Sequence, residues 1–373
     1  VIIKALLLAS FVVAAFSAQC AEVRYVNDGR IKISGPIKEG DLERLERLNP
    51  PMGTTISLHS NGGDFQVGLG LAEYFSNNML ETVVDDGEQC LSACAIAFLG
   101  GASAGDEDGQ ISPGRSIGES SRLGFHAPYI NAPEAQYSKK FVEGAYDRAV
   151  KTVVNVAQYA DVFKLDAVVI TELMRAVREQ LEYVDTAGEL GRYKIALRKV
   201  KMPSVLTKTM AASFCANGWD WTHNAAKDPN WASMDAFSQS IAIMNSSHWN
   251  EEDATVWLSY EDKWVTAVPI LEGNEGTYVY CLIERGNPDE GRYVSCNGFV
   301  RLGDLAEAVG WAKGNNSTEY PCEIPFVVDP EGKNDNFSDR YAYALVPPST
   351  PIDQVRPKLD QLVATERPIP GPK

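Results

Sequence analysis

At 373 residues the chain is long enough for two domains, and 45% hydrophobic with 23% charged residues is the make-up of an ordinary folded protein. The formal charge of −16 argues against nucleic-acid binding, which needs a cationic surface. Acidity alone says nothing further about partners.

Lys4 precedes an apolar run over residues 5–16, too short to span a bilayer with margin, and small-x-small cleavage sites end at Ser17 and Cys20. Residues 1–20 therefore read as a signal peptide. The expected location is periplasmic or secreted, and an uncleaved signal is the one route to a membrane. Gln19 spoils a lipoprotein signature, because a small residue belongs before the cysteine.

Residues 22–48 suggest a β-hairpin and a helix. Residues 54–200 then alternate short strands with helices, the pattern of an α/β domain. Its first strand, from Thr55 to Leu58, runs into His59-Ser60-Asn61-Gly62-Gly63; a helix from Phe65 to Met79 and a strand from Glu81 to Asp85 follow. Next come Cys90-Leu91-Ser92-Ala93-Cys94, a small-residue helix to Leu99, and a Gly/Ser/Asp-rich stretch over residues 100–121. That stretch shows no periodicity of its own and is expected to be a mobile lid. Leu123 to His126 reads as a further strand, and two longer helical runs follow over residues 133–160 and 166–179.

A boundary is expected near residues 201–204. All seven tryptophans lie beyond it, with strand-like runs over 255–260, 264–270 and a hairpin around the turn at 286–291. Residues 204–346 thus form a smaller, disulfide-containing β-rich domain, and residues 347–373 a proline-rich tail around one short amphipathic run. Six cysteines beyond the signal are an even number for an oxidising compartment. A hairpin folded symmetrically about 286–291 pairs Cys281 with Cys296. Cys90 and Cys94 are close enough to pair if their turn is helical, which leaves Cys215 for Cys322 by elimination.

Each motif has two meanings. Gly62 and Gly63 after a strand can point backbone N–H groups at a developing oxyanion, or simply make a tight turn. Neither GxGxxG nor GxxxxGK[ST] is present, so a phosphate loop is the weaker alternative. Ser92 at the mouth of a helix is a candidate nucleophile or a plain helix cap. Cys90 and Cys94 could be nucleophiles, but paired in an oxidising compartment they read as a clamp on the Ser92 turn. His126 is a candidate general base, with His59 as its rival. His223 and His248 have no ligand-like spacing, so no metal and no cofactor are assigned.

The order strand, Ser-x-Gly-Gly, helix, strand, Ser, helix, strand, His resembles the ClpP/crotonase superfamily, in its ClpP-like serine peptidase branch. The Gly63-to-Ser92 spacing and Gly68 fit that pattern, and Thr186-Ala187-Gly188-Glu189-Leu190-Gly191-Arg192-Tyr193 looks like its Ser-Ala-x-Glu-Ala-x-x-Tyr segment. The resemblance covers residues 22–200. It implies a repeated ββα core, Ser92 as nucleophile, His126 as base, and the Gly63 and Ala93 N–H groups, beside Gly62, as the oxyanion hole. It also implies a peptide or protein substrate and allows the rings or smaller homo-oligomers common in that family. Three departures stand out: Asn61 replaces a proline, residues 100–121 are longer than the family loop, and Arg178 occupies the place of the catalytic aspartate. Glu179, one residue on, is the candidate acid, with Asp166 and Asp185 as alternatives. An arginine cannot orient an imidazolium, so a Ser–His dyad or a catalytically inactive binding protein with the same fold are the other outcomes. A crotonase-type acyl-CoA enzyme is disfavoured, because export separates it from CoA.

Overall fold

The computed structural model describes residues 20–27, 29–104, 111–129, 135–166, 169–170, 172, 180–222, 235–258, 263–272, 276–286, 294–314 and 339–370. Residues 1–19 of the expected signal peptide, Arg178, Glu179, His223 and Cys322 lie outside them.

Two sheets organise the first 200 residues. The larger has the order β1(Glu22–Asn27), β2(Arg30–Ser34), β3(Thr55–His59), β4(Glu81–Val84), β8(Arg115–Ile117), β11(Ala196–Leu197), parallel throughout except for the β1–β2 hairpin. Its inner strands carry fully buried Ile31, Ile33, Ile56, Leu58 and Val84, as parallel strands covered on both faces require. The smaller sheet has the order β10(Glu182–Tyr183), β9(Arg122–Phe125), β5(Gln89–Leu91), with β9 parallel to β5 and antiparallel to β10.

Three helices cover these strands. α1(Asp41–Leu48) presents Leu45 to the core. α2(Phe65–Asn77) starts at Asp64, whose carboxylate accepts from the N–H groups of Gln66 and Val67. All seven residues of α3(Ala93–Leu99) are buried. α2 and α3 meet backbone to backbone: a Cβ at Gly68 would lie 2.5 Å from Ala93 O, and one at Gly100 would lie 2.2 Å from Ala72 O. Further on, α4(Lys139–Gln158) leaves Val142, Tyr146, Val150 and Val154, at four-residue spacing, exposed along one face.

The lid expected over residues 100–121 is corrected. Outside 105–110 the stretch forms the short hairpin β6(Ala102–Ala104)–β7(Ile111–Pro113) and then β8, an interior strand between β4 and β11. Its glycines serve close packing rather than mobility, since a Cβ at Gly114 would lie 2.5 Å from Ala102 C. Three-residue strands are too short to show periodicity. Arg115 on β8 is buried and donates to the carbonyls of Leu99, Phe163 (2.9 Å) and Lys194 (3.2 Å). Burial pushes its guanidinium pKa down to about 9.

Beyond residue 204 the four-stranded antiparallel sheet β12(Thr255–Leu258), β13(Lys263–Glu272), β14(Tyr278–Gly286), β15(Val294–Leu302) packs one face on the helix Leu305–Gly314. The other face joins the main core, which runs without interruption from Ala21 to Ile369 across the 201–204 boundary. The bridge is the helix Lys208–Thr222, whose residues from Met210 to Trp219 are all buried.

Two cysteine expectations are overturned. The β14–β15 hairpin exists, but its register sets Cys281 opposite Phe299, and Cys296 opposite Ile283 after an irregularity at Leu282/Ile283. Cys281 therefore bonds Cys215 of the buried helix (S–S 2.03 Å), not Cys296, and Cys215 is not left for Cys322. Cys296 is disulfide-bonded as well. Arg285 opposite Val294 centres the pairing one residue beyond the centre of 286–291, and the irregularity shifts it by a further residue, so symmetry about that turn misplaces the partner of Cys281. The Cys90–Cys94 bond is present as expected, and Cys20 is a free thiol.

The short amphipathic run of the tail is the helix Val355–Thr365, flanked by extended pieces docked on the rest of the chain. Pro351 bridges Thr186, Pro368 bridges Thr207, and Ile352 N–H donates to Asp185 O at 2.9 Å. Arg285, itself buried, donates to Pro370 O at 2.6 Å.

Candidate functional site

Ser92, Gly62, Gly63, Ala93 and His126 gather where strands of the small sheet end. β5 and β9 are parallel with Leu91 opposite Gly124, so Ser92 leaves one strand as His126 leaves its neighbour. Ser60 bridges Cys90, with Leu91 N–H donating to Ser60 O at 3.0 Å, and this ties the glycine turn to the same edge.

Ser92 has φ 56 and ψ −122, a conformation that L-residues rarely adopt. Its N–H donates to Gly124 O (2.8 Å) and its carbonyl accepts from Ile96 N–H (3.1 Å). Its hydroxyl makes no cap hydrogen bond, so the capping alternative fails and Ser92 does not satisfy the first-turn N–H groups of α3 through its side chain. Ala93 N–H has no acceptor among the described residues.

The two glycines divide their work. Gly62 N–H donates to Ser60 Oγ at 3.0 Å, so Gly62 is not an oxyanion donor, which corrects that part of the expectation. Its role is room: a Cβ there would lie 2.7 Å from Ser92 Cβ and 3.2 Å from Ala93 N. Gly63 N–H has no acceptor among the described residues, while its neighbours hold the turn through Ile37 N–H to Gly62 O (3.0 Å) and Asp64 N–H to Ile37 O (2.9 Å). A Cβ at Gly63 would lie 2.1 Å from Ile37 O.

His126 is half-buried, and its ring lies 5.3 Å from that of Tyr129. Its Nδ1 is 2.8 Å from Ala127 O. A carbonyl only accepts, so Nδ1 carries the proton and the neutral ring keeps its lone pair on Nε2. His59, the rival base, instead accepts from Gln89 N–H on Nδ1 at 3.4 Å. Ser92 Oγ and His126 make no hydrogen bond to one another, and among the described residues no carboxylate bonds His126.

The alternative acids lie in other surroundings. Asp166 lines a cavity of about 300 Å³ with Arg192, Lys194 and Asp220, a space that neither Ser92 nor His126 touches. Asp185 precedes the capping box of the helix Ala187–Arg192, and its own N–H donates to Glu189 Oε2 at 2.9 Å. Burial and the charge of Glu189 raise the Asp185 carboxyl above the usual range, against the pull of Arg122. Glu182 lies opposite Phe125 on β10, one register position from His126, and is exposed.

Sequence reasoning missed Ser60 and the Ala127 carbonyl. A Ser-x-Gly turn could have signalled the first; a main-chain acceptor has no sequence signature. No three His, Cys, Asp or Glu side chains among the described residues are grouped to hold a metal ion. Compared with models of known protein families the chain matches none, and no curated protein matches it.

Proposed function

We propose that this chain is an exported ClpP-like serine hydrolase acting on peptides, with Ser92 as nucleophile and His126 as general base. One observation carries the reading: Ser92 is held in a strained turn at the head of α3, and among the described residues its hydroxyl and the N–H groups of Gly63 and Ala93 beside it have no hydrogen-bond partner. Strain of this kind costs about 1–3 kcal/mol and persists where surrounding contacts impose it.

The fold supports the same reading. β3, Ser60 and α2 form one unit of a strand in the large sheet, a pairing in the small one and a helix; β4, β5 and α3 form a second; β8, β9 and α4 a third. A repeated ββα core of the ClpP/crotonase kind would have this arrangement, and the likeness supports the reading.

In the mechanism, a peptide carbonyl sits against Gly62, where no side chain intrudes. Ser92 Oγ attacks its carbon while Nε2 of His126 takes the hydroxyl proton. The oxyanion that forms is met by the N–H groups of Gly63 and Ala93, the latter at the positive end of α3. His126 then gives the proton to the leaving amine, and water repeats the sequence on the acyl-enzyme. Ala127 O takes the orienting role of the absent aspartate. A carbonyl carries no full charge, so it stabilises the imidazolium less than a carboxylate does, and turnover should be slow. The Ser92–His126 bond is absent here and has to form on substrate binding, a common change between free and occupied sites.

A second reading, the same fold kept for binding without turnover, is favoured by that missing bond. Hydrolysis of a mixed peptide library by wild type, Ser92→Ala and His126→Ala separates the two. The hydrolase reading expects new peptide termini from wild type alone; cleavage products equal in all three would sink it.

A further inference from the structure

We propose that the Cys90–Cys94 bond is the positioning device of the Ser92 nucleophile, so that the site is assembled only by oxidation. The inference rests on the hydrolase reading for its consequence, but its structural part stands by itself.

The bond closes residues 90 to 94 with Ser92 at the centre, and its two Cα atoms are 5.1 Å apart. Cys90 is the middle residue of β5 and Cys94 the second residue of α3, so the bond fixes the strand end to the helix start across the strained residue. The other ties are few. Among the described residues two backbone hydrogen bonds hold Ser92 and its side chain bonds none, and α3 is a short helix without a side-chain cap. With free thiols the backbone at Ser92 can relax to negative φ, which rotates Ala93 N–H away from the place of the oxyanion.

Both cysteines are fully buried, so the folded oxidised protein shields the bond from soluble thiols. The step therefore belongs to maturation and is not a reversible switch. Its chemistry needs a disulfide donor of the oxidising compartment, protein-borne or small. One cysteine thiolate attacks the donor disulfide, forms a mixed disulfide and releases one donor thiol. The second cysteine thiolate attacks the mixed disulfide, closes Cys90–Cys94 and releases the other. The two cysteines lose two protons and two electrons, and the donor is reduced to two thiols. Before export the chain would carry the right residues in an inactive arrangement.

The test compares full-length wild type with C90A/C94A for thermal unfolding, amide hydrogen exchange at Ser92 and Ile96, and labelling by a fluorophosphonate. The variant should still fold, exchange those amides at least about tenfold faster, and label at least roughly 100-fold more slowly. Exchange and labelling both within threefold of wild type would overturn the proposal. If wild type labels and the variant labels equally, the clamp fails and the hydrolase stands. If wild type never labels while the variant's exchange rises, the hydrolase reading fails and the clamp stands. Should C90A/C94A not fold, the same readouts are followed while reduced wild type refolds in oxidised glutathione. Slow exchange and labelling should then appear only in molecules carrying the Cys90–Cys94 bond; their appearance in molecules with both thiols free would overturn the proposal.

Discussion

At the scale of single residues, chemistry at the site depends on what is missing as much as on what is present. Gly62 shows this best, because its N–H is taken by Ser60 and its value lies in the absent side chain. Gly62→Ala should therefore slow fluorophosphonate labelling by about 100-fold. Overpacking against Ser92 Cβ and Leu91 O should also destabilise the fold by roughly 1–3 kcal/mol. Labelling kinetics and chemical denaturation check the two effects separately. Asp85 gives a second residue-scale expectation. Burial opposes its ionisation, but hydrogen bonds from Arg30 and Ser57 and the charges of Arg30 and Arg198 outweigh it and hold the carboxyl below the usual range. A depressed folded pKa means the unfolded chain binds the proton more tightly, so the contribution is present above the unfolded value and is lost as pH falls through the folded one. Stability should decline on acidification below about pH 4. Asp85→Asn should flatten that decline while lowering stability at pH 7, measured by thermal unfolding across pH.

At the scale of elements, the strands and the helix around the glycine turn were legible in the sequence, whereas the buried helix Lys208–Thr222, inside a stretch read as β-rich, and the irregular pieces were not. Thr55–His59, Phe65–Asn77 and Glu81–Val84 lie where apolar periodicity and the glycine turn suggested. β8 was hidden because three residues that include a buried arginine carry no pattern, and the Cys281 partner was hidden because the hairpin pairs about a centre one residue beyond that of 286–291 and then shifts by a further residue at Leu282/Ile283. Arg115 is the physical reason β8 belongs inside: its guanidinium collects carbonyls at the ends of α3 and of α5(Ala160–Phe163), and another from Lys194. Arg115→Ala leaves those buried acceptors without donors and should destabilise by about 2–4 kcal/mol. Urea denaturation measures it; a loss below about 0.5 kcal/mol would contradict an interior role.

At the scale of the whole molecule, the glycine, serine and histidine of the candidate site were legible because each stands beside a strand end. The support around them was not, because it comes from distant chain. The tail holds residues 185–188 by hydrogen bonds from Ala187 N–H to Thr350 O and from Gly188 N–H to Pro348 O, both at 2.9 Å. Those residues follow β10, which pairs with β9 just before His126. Ending the chain at residue 346 should thus lower the unfolding temperature and loosen amide protection in β9, measured by hydrogen exchange. The Cys90–Cys94 and Cys215–Cys281 disulfides are compatible with an oxidising compartment, and the second joins segments that no local motif connects. The most direct test of the central claim is a structure of the protein after reaction with a fluorophosphonate. The expected result is a phosphonyl group on Ser92 Oγ, its oxygen about 3 Å from the N–H groups of Gly63 and Ala93 and His126 Nε2 turned toward the ester. Modification of another residue, or a folded protein that stays unmodified, would contradict it.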